Sequence, residues 1–130
     1  MFRTTNAFSG FSVDDIPAAK RFYGDTLGIR VTEEGDALTL HLADGERPTL
    51  VYPKGEAHEP ASFTILNFQV EDIEAAVEEL ADRGVEFERY EGTEIETDSK
   101  GIFRGGGPLI AWFKDPAGNV LSVIELGEED

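Results

Sequence analysis

A chain of 130 residues with 40% hydrophobic content can bury one substantial core and is too short for two independent ones. Its 27 Asp and Glu against 11 Lys and Arg give a formal charge of −16, a surface that repels phosphate backbones and anionic lipids, so neither a nucleic-acid nor a membrane partner is expected. With no cysteine there is no disulfide, no thiolate nucleophile and no thiolate metal site.

No apolar run approaches the roughly 18 residues of a membrane span. The start, Met1-Phe2-Arg3-Thr4-Thr5-Asn6, lacks the basic and apolar stretches of a signal peptide, so a cytoplasmic location is expected. Residues 8–13 alternate as a strand would. Asp14-Asp15 before Ile16-Pro17 is then a helix start, an acidic cap followed by proline in the first turn. Ile16, Ala19, Phe22, Tyr23 and Leu27 recur at helical steps, which assigns Tyr23 to packing, and Gly28 ends the helix. Ile29-Arg30-Val31 reads as extended. Leu38, Leu40 and Leu42 alternate with Thr39, His41 and Ala43, and Asp44-Gly45 turns the chain into a strand at residues 49–52. Residues 54–60 read as a linker.

The second half repeats the first. Val13-Asp14-Asp15-Ile16-Pro17-Ala18-Ala19 returns as Val70-Glu71-Asp72-Ile73-Glu74-Ala75-Ala76, an offset of 57 residues (72 − 15). A strand at residues 65–70 precedes a helix with Ile73, Ala76, Val77 and Leu80 on one face, ended by Gly84 and followed by extended Val85-Glu86-Phe87. Residues 91–107 are acidic and glycine-rich, a loop or lid. Strands at 109–113 and 120–124 are joined by the turn Asp115-Pro116-Ala117-Gly118-Asn119, and residues 127–130 read as a frayed tail. Each half is strand, helix, strand, strand, strand. The expected fold is α+β, two paired βαβββ modules forming a curled mixed sheet around a cavity. Module one takes residues 5–54, a linker 55–61 and module two 62–126, in a single domain of 1–130. A pocket is expected where paired units meet.

The segments from Val13-Asp14-Asp15-Ile16 through Phe22-Tyr23-Gly24-Asp25-Thr26-Leu27-Gly28, and Phe113-Lys114-Asp115-Pro116-Ala117-Gly118-Asn119, resemble the vicinal oxygen chelate superfamily of glyoxalases, bleomycin-resistance proteins and extradiol dioxygenases. The resemblance covers essentially the whole chain and implies a glyoxalase-like fold, often in a homodimer. It says little of activity, because this fold hosts many. It also implies four metal-ligand positions filled by His, Gln or Glu. Counting seven residues back from Asp15 and Asp72 gives Phe8 and Ile65 for two of them. Four residues beyond Gly118 is Ser122, and the remaining position lies in residues 49–53, which hold no carboxylate, imidazole or amide. A divalent ion needs several converging oxygen or imidazole donors. No metal and no cofactor are therefore expected.

Strand alternation then sorts the remaining candidates. If Phe8 faces a cavity, so do Gly10 and Ser12. With Ile65 go Asn67 and Gln69, and with Ser122 go Val120 and Ile124. Trp112 and Ile110 face the cavity while Ala111 and Phe113 are core. His41 and Tyr52 join the expected binding set from their strands, and Arg104 could clamp a carboxylate. Each has a plainer role open to it: Trp112 in a core or dimer interface, Asn67 and Gln69 at strand ends, Arg104 in a local ion pair, His41 as a structural side chain. His58 reads as a solvated linker residue. No nucleophile–base pair is visible, and Gly105-Gly106-Gly107 lacks the lysine and helix of a phosphate loop. The walls are aromatic and aliphatic with a few amides and hydroxyls, which suits a small organic ligand. The leading reading is a metal-free small-molecule binding or sequestering protein of the bleomycin-resistance type. A glyoxalase-like lyase, an isomerase or another enzyme of the superfamily is the alternative, and a non-catalytic regulatory or assembly module is the third.

Overall fold

The computed structural model describes residues 8–42, 47–88, 97–98, 100–104 and 108–125. The expected turn at Asp44-Gly45, parts of the expected loop (91–96, 99 and 105–107) and the acidic tail lie outside the described residues. The chain divides into two compact units, Met1–Pro60 and Ala61–Asp130.

In the first unit β1 (Ser9–Val13) leads to α1 (Ile16–Lys20), which widens into a π-helical stretch (Arg21–Thr26). Strands β2 (Arg30–Glu34), β3 (Ala37–Leu42) and β4 (Arg47–Pro53) follow, then a 3₁₀ turn at Gly55–Ala57. The helix begins as its sequence requires. Asp15 Oδ1 accepts the Ala18 N–H at 3.1 Å, satisfying a first-turn donor that the helix itself cannot. Its second half departs from expectation. The Leu27 N–H reaches back five residues to the Phe22 carbonyl at 2.9 Å, so the turn is wider than an α turn. Ala19 and Tyr23 carry the buried face, whereas Phe22 and Leu27 are only half-buried. Gly28 leaves the helix at φ 77°, a conformation that side chains resist.

The sheet runs β1-β4-β3-β2, with β1 parallel to β4 and the other pairs antiparallel. Register places Phe11, Val51 and Leu38 in one row, and with Val13 and Leu40 they form a core against the helix, Phe11 meeting the Tyr23 ring at 5.8 Å. Burying each such side chain contributes about 1.5–3 kcal/mol.

The second unit has the same scheme. Its elements are β5 (Thr64–Gln69), α2 (Ile73–Asp82), β6 (Ile102–Phe103), β7 (Leu109–Lys114) and β8 (Val120–Glu125). The order is β5-β8-β7-β6, again with the first strand parallel to the last, and neither sheet closes on itself. Ile73 and Val77 turn inward from α2, which lies against β7 and β8, where Ala111, Phe113, Leu121 and Val123 are buried. Asp72 Oδ1 caps the helix through the Ala75 N–H at 3.2 Å, and Glu125 Oε1 takes the Ile73 N–H at 2.8 Å.

Two expectations are corrected here. Val85-Glu86-Phe87 is not a strand of its own; Phe87 makes a single bridge to Phe113. The outer position beside β7 is instead completed by Ile102–Phe103, a strand inside the stretch expected to be loop. Its short length and glycine neighbours hide it, but Ile102 is fully buried, and that burial fixes the pairing.

The turn after β7 is held from within. Asp115 is buried, and its Oδ1 accepts the N–H groups of Ala117 (3.0 Å) and Asn119 (2.8 Å) while Oδ2 accepts Asn119 Nδ2 at 3.1 Å. Asn119 Oδ1 in turn accepts the Ala61 N–H at 3.3 Å, tying this turn to the chain entering β5.

Candidate functional site

Alternation leaves each sheet one face opposite its helix, and eight of the ten expected binding residues, all but Ile65 and Arg104, lie on or beside these two faces. In the first unit the residues between the core positions are Gly10 and Ser12 on β1, Leu50 and Tyr52 on β4, and Thr39 and His41 on β3. Phe8 stands just ahead of β1 and is 63% exposed. His41 has a structural bond: its Nε2 lies 2.9 Å from Thr32 Oγ1 on the neighbouring strand.

His58 departs from its reading as a solvated linker residue. It is half-buried, and its Nδ1 lies 2.7 Å from Ser12 Oγ. The local chain explains this. The Lys54 N–H donates to the Val13 carbonyl at 2.9 Å, and the turn that follows folds the chain back over β1. Gly55 adopts φ 51° there, and the His58 N–H closes on the Gly55 carbonyl at 3.1 Å. Ser12 and His58 are 46 residues apart, and no local motif announces the pair.

In the second unit a polar row crosses three strands. Ser122 lies between Asn67 on β5 and Trp112 on β7, directly opposite both. Its hydroxyl is fully buried and donates to Asn67 Oδ1 at 2.6 Å. That bond fixes the Asn67 amide with its NH₂ away from Ser122, and Asn67 and Gln69 are both exposed. Trp112 donates its indole N–H to Thr64 Oγ1 at 3.2 Å, and its ring tilts against Phe103 at 6.1 Å. Thr64 was not among the expected residues. It shares this face because register slips between Thr64 and Leu66, which makes Ile65 the extra residue of a bulge. Strict alternation therefore does not carry Ile65 onto the face as expected.

Arg104 is also left out of this arrangement. Its Nε donates to Asp98 Oδ2 at 2.8 Å and its Nη2 to Glu74 Oε2 on α2 at 3.1 Å, so the guanidinium belongs to the helix side. Lys100 adds bonds to Glu74 and Glu78. Partial burial pushes the Asp98 carboxyl up, but the Arg104 guanidinium and the Ile102 and Lys100 N–H groups outweigh it and hold it below the usual range.

The donor set at the implied metal positions does not fit a divalent ion. Phe8 and Ile65 carry no donor atom, which leaves neutral hydroxyls such as Ser122, a poor ligand set for a divalent ion. Among the described residues no group of three or more His, Asp or Glu converges. A surface depression of about 610 Å³ lies on the helix side of the first unit, lined by residues such as Ile16, Pro17, Ile29 and Val31, and none of the expected binding residues lines it.

Open mixed sheets built from βαβββ modules, each with one polar and aromatic face, define the glyoxalase-like class of α+β protein. The chain belongs to the glyoxalase/bleomycin resistance protein/dioxygenase superfamily, whose profile matches residues 7–123. No curated protein matches its sequence. Solved structures share the fold. TnmS3, an antibiotic binding protein from Streptomyces, is 21% identical with a TM-score of 0.67, over 97% of this chain and 100% of that one. The fosfomycin resistance protein FosX from Mesorhizobium loti is 12% identical with a TM-score of 0.64, over 97% and 95%. A glyoxalase/bleomycin resistance protein from Catenulispora acidiphila is 24% identical with a TM-score of 0.62, over 95% and 100%. Among the described residues no helix is long and apolar enough to cross a membrane.

Proposed function

We propose that this protein binds a small organic molecule, without a metal, on the sheet faces opposite its helices. The observation that carries the reading is the Asn67–Ser122–Trp112 row: an amide held in one orientation by a buried hydroxyl, beside an anchored indole. An aromatic wall with one or two fixed polar groups is how proteins hold flat organic ligands. The solved neighbours described as an antibiotic binding protein and a fosfomycin resistance protein support the same class of ligand. The metal-free part rests on Phe8 and Ile65, which offer nothing to a cation. A cytoplasmic homodimer is the accompanying expectation, and sedimentation at micromolar concentration tests the dimer.

Trp112 is the only tryptophan, so intrinsic fluorescence reports directly on this face. Titration with a panel of aromatic antibiotics and metabolites should quench it saturably, and a ligand at a hundredfold its Kd should add about 2.7 kcal/mol of stability. Melting shifts with Ni²⁺, Zn²⁺ or Mn²⁺, with no response to any organic molecule, would reverse the reading in favour of a metal-dependent enzyme.

A further inference from the structure

We infer that Ser12 and His58 form a nucleophile and general-base pair that accepts an acyl group from a small activated ester. This reaches beyond ligand binding and does not rest on it, because the pair lies in the first unit and the Trp112 row in the second.

The geometry is that of an activated hydroxyl. Ser12 Oγ and His58 Nδ1 are 2.7 Å apart, within the range in which a base takes a proton from a nucleophile. With the imidazole proton on Nε2, Nδ1 accepts and the serine hydroxyl donates. The base is held in place by the backbone. The turn carrying His58 is fastened to the end of β1 through Lys54 and Val13, and His58 closes it on Gly55. Neither member is shut in, since Ser12 and His58 are half-buried.

Beside the pair the backbone is bare. Gly10 lies two residues before Ser12 on the same face, and a Cβ there would meet Leu50 O at 3.2 Å and Tyr52 Cε1 at 3.7 Å. The tight neighbour is the Leu50 carbonyl, and the Tyr52 ring lies alongside at ordinary contact distance, opposite Ser12, its register partner on β1. Tyr52 remains 39% exposed, a flat apolar surface for the body of an aryl or alkyl ester.

The chemistry balances with water alone as co-reactant. His58 Nδ1 takes the Ser12 proton as the Oγ–carbon bond forms, and the ester's carbon–oxygen bond breaks. The leaving alkoxide or phenoxide takes the proton from His58. Water, deprotonated by the same nitrogen, then cleaves the acyl-serine to a carboxylic acid and returns the proton to Oγ.

The test uses the intact protein and p-nitrophenyl acetate. One p-nitrophenolate per chain should be released in a burst, with the acetyl group mapping to Ser12 by peptide mass spectrometry. Ser12→Ala should abolish the burst, and His58→Gln should slow it about a hundredfold. Acetylation confined to lysines, or an undiminished burst from Ser12→Ala, overturns the inference. Should either variant fail to fold by circular dichroism, labelling the native chain with a fluorophosphonate decides alone. Modification of Ser12 supports the pair, and an unlabelled Ser12 removes it. Saturable quenching of Trp112 is read separately, so either proposal can fail while the other stands.

Discussion

The Ser122 hydroxyl donates to Asn67 Oδ1 at 2.6 Å across the parallel pair of β8 and β5. Its two ends are unequal, because Ser122 is fully buried whereas Asn67 is exposed. Removing the acceptor strands a buried hydroxyl; removing the donor leaves an amide that water can satisfy. Asn67→Ala should therefore destabilise by about 1–3 kcal/mol and Ser122→Ala by about 1 kcal/mol or less. Urea denaturation of the two variants gives the order, and equal losses would mean that the hydroxyl finds another acceptor.

The Trp112 ring should matter to ligand affinity as well as to its own packing against Phe103. Its indole N–H is tied to Thr64, so Thr64→Val frees the ring without removing it. Affinity for an aromatic ligand should fall about five- to tenfold in Trp112→Ala, in line with the loss of one aromatic contact. Thr64→Val should fall between that variant and wild type. Calorimetric titration checks the series, and unchanged affinity in Trp112→Ala would assign the ring to packing.

Gly101 is buried at φ 86°, and a Cβ there would sit 2.8 Å from Phe87 Cβ. Alanine at this site would suffer both the left-handed backbone and the collision. Gly35 shares the backbone at φ 63° but has nothing within 4 Å. Gly35→Ala should lose only about 1–2 kcal/mol, the strain alone, whereas Gly101→Ala should lose more. Melting temperatures of the pair separate strain from crowding.

Asp98 is a source of acid sensitivity. Partial burial works against its ionised form, yet Arg104 and two backbone N–H groups prevail and keep its carboxyl lower in the folded chain than unfolded. A depressed carboxyl contributes stability above its unfolded value of 3.8, and that contribution disappears as pH falls through the folded value. Between pH about 5 and 2, the denaturation midpoint of Asp98→Asn should fall less steeply than that of wild type. Parallel curves would show that Arg104 does not hold the carboxylate in solution.

The fold was written in the sequence wherever one residue has one physical task. Asp15 and Asp72 could be recognised as caps because short carboxylates satisfy first-turn donors, and Asp115 with Asn119 because that turn bonds itself. Period-two spacing put Ala111 and Phe113 on the buried side correctly. Features that depend on partners distant in sequence were not legible. The bulge at Ile65 needs the register of β8, and Ile102–Phe103 becomes a strand only against β7. For Arg104 the sequence leaves a ligand clamp and a local ion pair both open, and only the positions of Glu74 and Asp98 decide for the pair. His58 met Ser12 through a turn whose outcome no spacing rule foretells.

In both units the opening strand pairs with the closing one, Ser9 beside Thr49 and Asn67 beside Ser122. Neither ladder can be finished until its last strand has been made, so the halves wait on closures of 40 (49 − 9) and 55 (122 − 67) residues. Among the described residues each sheet draws its strand pairs from its own half of the chain. During synthesis β1 therefore waits for its parallel partner until β4 has left the ribosome, and β5 waits for β8.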